Sequence, residues 1–179
     1  RNIRQGWINI DSQGLPGVDV VADLECCGQT SLPLADDSAD ELLLSHVLEH
    51  IRNVLPMMQE LHRIAVNGAV MQVRVPYGSS DDAFEDPTHV RQLFCGSFGY
   101  FSQPYYWRAD YGYRGDWITE KIELHVAAQH SHLDNDALWQ LIEHDRNVVV
   151  EMVATLRAVK PIRQPLRELQ TAPTIYLIR

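Results

Sequence analysis

What this sequence lacks narrows its identity first. It has three cysteines, Cys26, Cys27 and Cys95, and no C-x-x-C pair, so neither a disulfide framework nor a thiolate zinc site is written into it. No apolar run approaches the roughly 20 residues that cross a bilayer, and the opening RNIRQGW has no secretory profile. The expectation is a soluble, cytoplasmic protein without a membrane partner. Basic runs are missing too: the formal net charge is -9, whereas a nucleic-acid binder needs a cationic face to neutralise phosphates. No nucleic-acid partner is expected. Finally, no two glycines stand two apart, so the G-x-G loop that lets a backbone approach a phosphate is absent.

What is present reads as one globular domain over residues 1–179, because 45% hydrophobic and 22% charged residues suit a single ordinary core. Strand and helix signals alternate. Trp7–Ile10 and Val18–Ala22 are short β-type runs, each closed by an aspartate, Asp11 and Asp23. Glu41–Ser45 is a third apolar run ending at His46. Asn53 and Pro56 open a helix through about Ala65, with Asn67-Gly68 as its stop. Met71, Val73 and Val75 alternate with Gln72 and Arg74 in a strand that Pro76 ends. This order makes a βαβ unit and predicts a mostly parallel sheet with helices on both faces.

Within it, Ser45-His46-Val47-Leu48-Glu49-His50 spells H-x-x-E-H, the spacing of inverted zinc peptidases. Such a site needs both histidines on one helical face, converging on one ion. Here His46 closes an extended run while His50 lies in the turn that follows. Metal is therefore not expected, and histidines capping a sheet edge are the plainer alternative. A third reading comes from position. Ligands of open α/β sheets sit beyond the carboxyl ends of the parallel strands, where acidic residues take ribose hydroxyls, and Asp11, Asp23 and Ser45-His46 are all strand-end residues.

The blocks GWINID, DVVADLE, LPLADDSADELLLSHVLEHI, LHRIAVNGA and MQVRVP follow one another in the order of the class I S-adenosylmethionine-dependent methyltransferases. The chain resembles the small methyltransferase-domain group of that family from about Gly6 to Phe101, and AFEDPTHVRQLF is similar to a segment of some members. The resemblance implies a Rossmann-like methyltransferase fold and S-adenosylmethionine as cofactor. It also implies roles: Asp11 accepts from the ribose, Asp23 and Leu24 meet the adenine, and Ser45, His46 and Val47 run under the methionine end. A carboxylate suits the ribose because it accepts from two neighbouring hydroxyls at once. For each aspartate the competing reading is an ordinary turn or helix cap.

The family's first strand and Gly-rich loop should stand just upstream of RNIRQGW. A chain of these residues alone is therefore expected to hold cofactor poorly, and a catalytically inactive, partner-binding domain is the alternative function. For chemistry, His89 is the candidate base, oriented by Asp86, because an imidazole takes a proton near neutral pH. Arg91 and Tyr77 are the candidate substrate contacts. In competition stands a D-P-T-H turn that merely starts a helix.

Residues 94–117 hold ten of the fifteen aromatic residues, interrupted by glycine and proline. They predict an irregular cap, either packed down or folded as a lid over a small or saccharide-like methyl acceptor. Lys121–Val126 reads as a strand. Asp134-Asn135-Asp136 then caps a long helix in which Leu138, Leu141, Ile142, Val149, Met152, Val153 and Leu156 recur at helical spacing. Residues 130–172 are thus expected to be a helical excursion before a last strand, Thr174–Ile178, with substrate choice or homodimer contacts as its candidate roles.

Overall fold

Met71, Val73 and Val75 are fully buried, while Gln72 between them is exposed and Arg74 half-buried. This period of two is what a strand with one face on the core requires. It lies in the longest strand of the chain as described by a computed structural model, which covers residues 3–179. In chain order the strands are β1 Ile10–Asp11, β2 Val20–Val21, β3 Ala39–Ser45, β4 Ala65–Pro76, β5 Trp117–Val126, β6 Val149–Ala158 and β7 Thr174–Ile178. The α-helices are α1 Val54–Ile64, α2 Asp82–Glu85 and α3 Asn135–His144.

Five strands form one sheet in the order β3-β4-β6-β5-β7. β3 and β4 are parallel, as are β5 and β7, while β6 runs antiparallel between β4 and β5. The sheet is thus mixed. β1 and β2 pair parallel as a separate two-stranded sheet, with Asp11 opposite Val21. Arg4 and Trp7, which precede β1, line a cavity of about 210 Å³ together with Glu41–Leu43, Val70 and Gln72 of β3 and β4.

The expected helix after β3 forms, but its ends are set by tertiary contacts. The Asn53 side chain makes no cap bond. Instead the Glu25 carboxylate, from the turn after β2, accepts from the backbone N–H groups of Arg52 and Asn53. A carboxylate there satisfies donors that a helix start leaves open. α1 buries Met57, Met58, Leu61 and Ile64, and the Trp117 indole N–H donates to the Met58 carbonyl at 3.1 Å. Asn67-Gly68 does not stop the helix. The chain enters β4 at Ala65, and Gly68, at φ 85°, lies where the β3–β4 register jumps from Ala39↔Ala65 to Glu41↔Val70. The turn signal is spent on a bulge.

The carboxyl third corrects the sequence reading. Asp134 does cap a helix, accepting from Ala137 N at 2.8 Å. That helix ends at His144, not near Leu156, and Val149–Ala158 is the central strand β6. Residues 130–172 are therefore not a helical excursion. Along β6, Met152, Ala154, Leu156 and Ala158 are buried while Glu151, Thr155 and Arg157 between them are half-buried, the period of two of a strand; Val149 and Val153 are buried as well and supply the spacings of three and four that read as a helix. Asn147, at φ 59°, makes the turn that separates helix from strand.

The aromatic segment forms two 3-10 turns, Cys95–Phe101 and Gln103–Trp107. Phe98, Phe101, Tyr106, Tyr113 and Trp117 are buried in the core, so the segment is packed down. The fully buried Asp116 fastens it, accepting from Gln103 N and from the Arg163 guanidinium at 2.8 and 2.9 Å.

Candidate active site

β3 and β4 are parallel, with Ser45 opposite Arg74, so the residues that follow each of them emerge at the same end of the sheet. The end of β2 is drawn to that end by Glu25, whose carboxylate holds Arg52 and Asn53 of the loop after β3. Three strand ends therefore meet at one rim. Asp11 and Asp23 lie at the ends of the β1–β2 pair. Both carboxylates also make the local contacts of a turn: Asp11 Oδ1 accepts from Gln13 N at 2.9 Å, and Asp23 Oδ1 caps Glu25 N at 3.0 Å. Leu24 is half-buried against the core.

Ser45 and His46 are exposed, and Val47 is half-buried. His46 has φ 52°, a left-handed backbone that costs a histidine roughly 1 kcal/mol or more. Its N–H donates to Arg74 O at 2.9 Å, anchoring the turn. Its ring lies between two acids, with Nδ1 3.3 Å from Glu49 Oε1 and Nε2 3.3 Å from Glu151 Oε1. The other Glu151 oxygen accepts from Arg74 at 2.6 Å.

Glu49 is only 2% exposed, yet neither of its carboxylate oxygens has a hydrogen-bond partner among the described residues. The 3.3 Å approach of His46 is close enough for charge attraction but lacks hydrogen-bonding geometry. A carboxylate buried so poorly paired is costly, by several kcal/mol. Beside it the His50 and His89 rings stand edge to face, centroids 4.7 Å apart. His89 Nδ1 is likewise buried without a partner. One ligand atom each from Glu49, His50 and His89 lies within 4.8 Å of the others.

The segment after α2 folds back along the loop after β3, which is why these groups meet. Val90 N donates to Glu49 O at 2.9 Å, and Gly78 N donates to Leu93 O at 2.8 Å. Arg91 donates to the Ile51 carbonyl at 3.0 and 2.6 Å and to Arg52 O at 2.8 Å. Its guanidinium is thus occupied in holding backbone. Tyr77 is buried, edge to face with Phe94, and burial pushes its hydroxyl up to about 12. Asp86 lies 3.9 Å from His89 Nε2, beyond hydrogen-bond range; its Oδ1 accepts from the Thr88 hydroxyl at 2.6 Å. Thr88 in turn stands 3.0 Å from His50 Nδ1.

Sequence reasoning placed Asp11, Asp23, Ser45, His46, His89 and Asp86 at strand ends or in the segment beyond β4. It missed Glu49 and His50 as site residues, and the tie through Glu25. The signal available was the pairing of Glu49-His50 with Asp86-Pro87-Thr88-His89 across the two loops.

The fold and rim define a class: a Rossmann-like α/β domain whose polar residues gather beyond the strand ends. Residues 3–72 match the methyltransferase domain family. Over that stretch the chain is similar to a methyltransferase domain. A SAM-dependent methyltransferase from Archaeoglobus fulgidus shares its fold, with a TM-score of 0.51 at 14% identity over 77% of this chain. This chain spans 66% of that structure's length. A putative methyltransferase from Bacillus halodurans aligns over 82% of this chain and 74% of its own, at 13% identity and a TM-score of 0.49. No curated protein matches the sequence. Among the described residues, no helix is long and apolar enough to cross a membrane.

Proposed function

We propose that this domain transfers a methyl group from S-adenosylmethionine to a small-molecule or saccharide-like acceptor bound beside the 85–91 segment. The observation that carries the reading is the convergence of three strand ends at one rim through Glu25 and the parallel β3–β4 pair. The donor set suits a nucleoside. Asp11 is the ribose acceptor, Asp23 and the half-buried Leu24 take the adenine edge and face, and Ser45-His46-Val47 lie along the methionine end.

The bound cofactor supplies an electrophilic methyl on a sulfonium. The chain's own task is to align the acceptor with that carbon and to exclude water. A hydroxyl acceptor also gives up a proton, and His89 is the basic group placed to take it, with Asp86 nearby. Arg91 and Tyr77 serve from behind, one bracing the loop after β3 and one packing the wall. The cytoplasm is the setting that suits three unpaired thiols.

Titration calorimetry of the full-length protein with S-adenosylhomocysteine tests the reading. The expected result is saturable one-site binding that Asp11→Ala weakens at least about tenfold, the loss of one charge-assisted pair. Unchanged affinity removes the ribose assignment, and no uptake at all favours a partner-binding domain instead.

A further inference from the structure

We propose that Glu49, His50 and His89 bind one divalent transition-metal ion. Three features of the cluster point the same way. The first is composition: two imidazoles and a carboxylate are a set that borderline ions such as zinc accept with a coordination position left open, while magnesium and calcium prefer oxygen donors alone. The second is that the cluster holds unspent lone pairs. Both Glu49 oxygens and His89 Nδ1 are buried with no hydrogen-bond partner among the described residues. A folded chain rarely leaves such groups without compensation, and a cation supplies it for all three at once.

The third feature is the proton on His50. The Thr88 hydroxyl has one hydrogen and donates it to Asp86 at 2.6 Å, so towards His50 Nδ1, 3.0 Å away, it accepts. His50 must then carry its proton on Nδ1 and present a bare Nε2. An imidazole fixed in that tautomer by a second group, itself held by a carboxylate, is the arrangement that orients metal-binding histidines. Asp86 and Thr88 are positioning residues here, not ligands.

The ligand atoms lie within 4.8 Å of one another. Tetrahedral bonds of about 2.0–2.1 Å place donors about 3.4 Å apart, so binding draws the side chains together by up to about 1.4 Å at the widest pair. Two of the ligands belong to the H-x-x-E-H spacing, but His46 is not the third. It stands between Glu49 and Glu151 at the strand end, and His89 from the other loop takes its place. The ion would use the His89 lone pair that a proton transfer would also use, so the two roles are exclusive.

The test is titration of chelator-dialysed protein with zinc chloride, with far-UV circular dichroism confirming that each variant folds. One ion per chain is expected, with no uptake of magnesium at the same concentration. His89→Ala and Glu49→Gln should each weaken zinc at least about a hundredfold, and Thr88→Val about tenfold, as loss of an outer partner does. His46→Ala should leave affinity within about threefold. Cobalt bound to the unmutated chain should show a visible spectrum without a thiolate charge-transfer band. Three outcomes overturn the proposal: no saturable zinc uptake, a thiolate band that assigns the ion to Cys26, Cys27 or Cys95, or binding that depends on His46 and not on His89. S-adenosylhomocysteine affinity, measured separately, distinguishes failure of this site from failure of the cofactor reading.

Discussion

The two halves of this domain are built to different standards. On the five-stranded side, strands of up to twelve residues bury Met71, Val73, Trp117, Ile122, Leu124, Met152 and Leu156 completely. On the β1–β2 side each strand has two residues, and Ile8 and Val21 are about 60% exposed. The first half carries the stability. The second carries Asp11 and Asp23, the carboxylates assigned to the cofactor, on turns held mainly by hydrogen bonds such as those of Asn9 with Arg4 and Asp19. Residues that meet a ligand are often placed where burial is low, because backbone there is free to follow the ligand and side chains remain reachable.

Mutations should separate the halves. Trp117→Ala, which empties a fully buried site and removes the indole hydrogen bond to the Met58 carbonyl, should cost about 3–5 kcal/mol in urea denaturation. Arg163→Ala should cost about 3 kcal/mol, because it leaves the fully buried Asp116 carboxylate without its cation. A pH series gives the next effect. His62 is buried, and loss of hydration holds its imidazole below the usual value of 6.5. The unfolded chain therefore takes up that proton first. The contribution of a neutral His62 is fully present above pH 6.5 and is lost as pH falls below it. Urea midpoints at pH 7.5 and 5.5 should differ in that direction, and His62→Gln should lose that part of the slope. On the other half, Val21→Thr should stay within about 0.5 kcal/mol of the parent, since it alters a surface position. A loss there as large as that of Trp117→Ala would erase the comparison.

Most of the first half of the chain was legible because its signals are local. The alternation at Met71–Val75 and the aspartates that close short runs act within a few residues, as does the later Asp134 cap. The same local logic failed at Val149–Leu156. Val149, Met152, Val153 and Leu156 stand at the spacings of three and four that mark a helix face, yet the same run holds the period of two, Met152, Ala154, Leu156 and Ala158, that β6 uses. The Asn67-Gly68 signal was read as a helix stop, whereas register with β3 makes it a bulge within β4. The candidate site followed the same pattern. Asp11, Asp23 and His46 were visible as strand-end residues, whereas Arg91 and Tyr77 proved to face backbone and core.

By itself the sequence determined where strands end in polar side chains, which face of α1 is apolar, and that the family's blocks stand in order. Those features depend on neighbours a few bonds away. Only the tertiary structure decided that β6 enters the middle of the sheet and that His89, from a distant loop, joins Glu49 and His50. The physical reason is that both outcomes rest on contacts between distant segments, the β4–β6 ladder and the fold-back of Val90 onto Glu49, which no periodicity along the chain encodes.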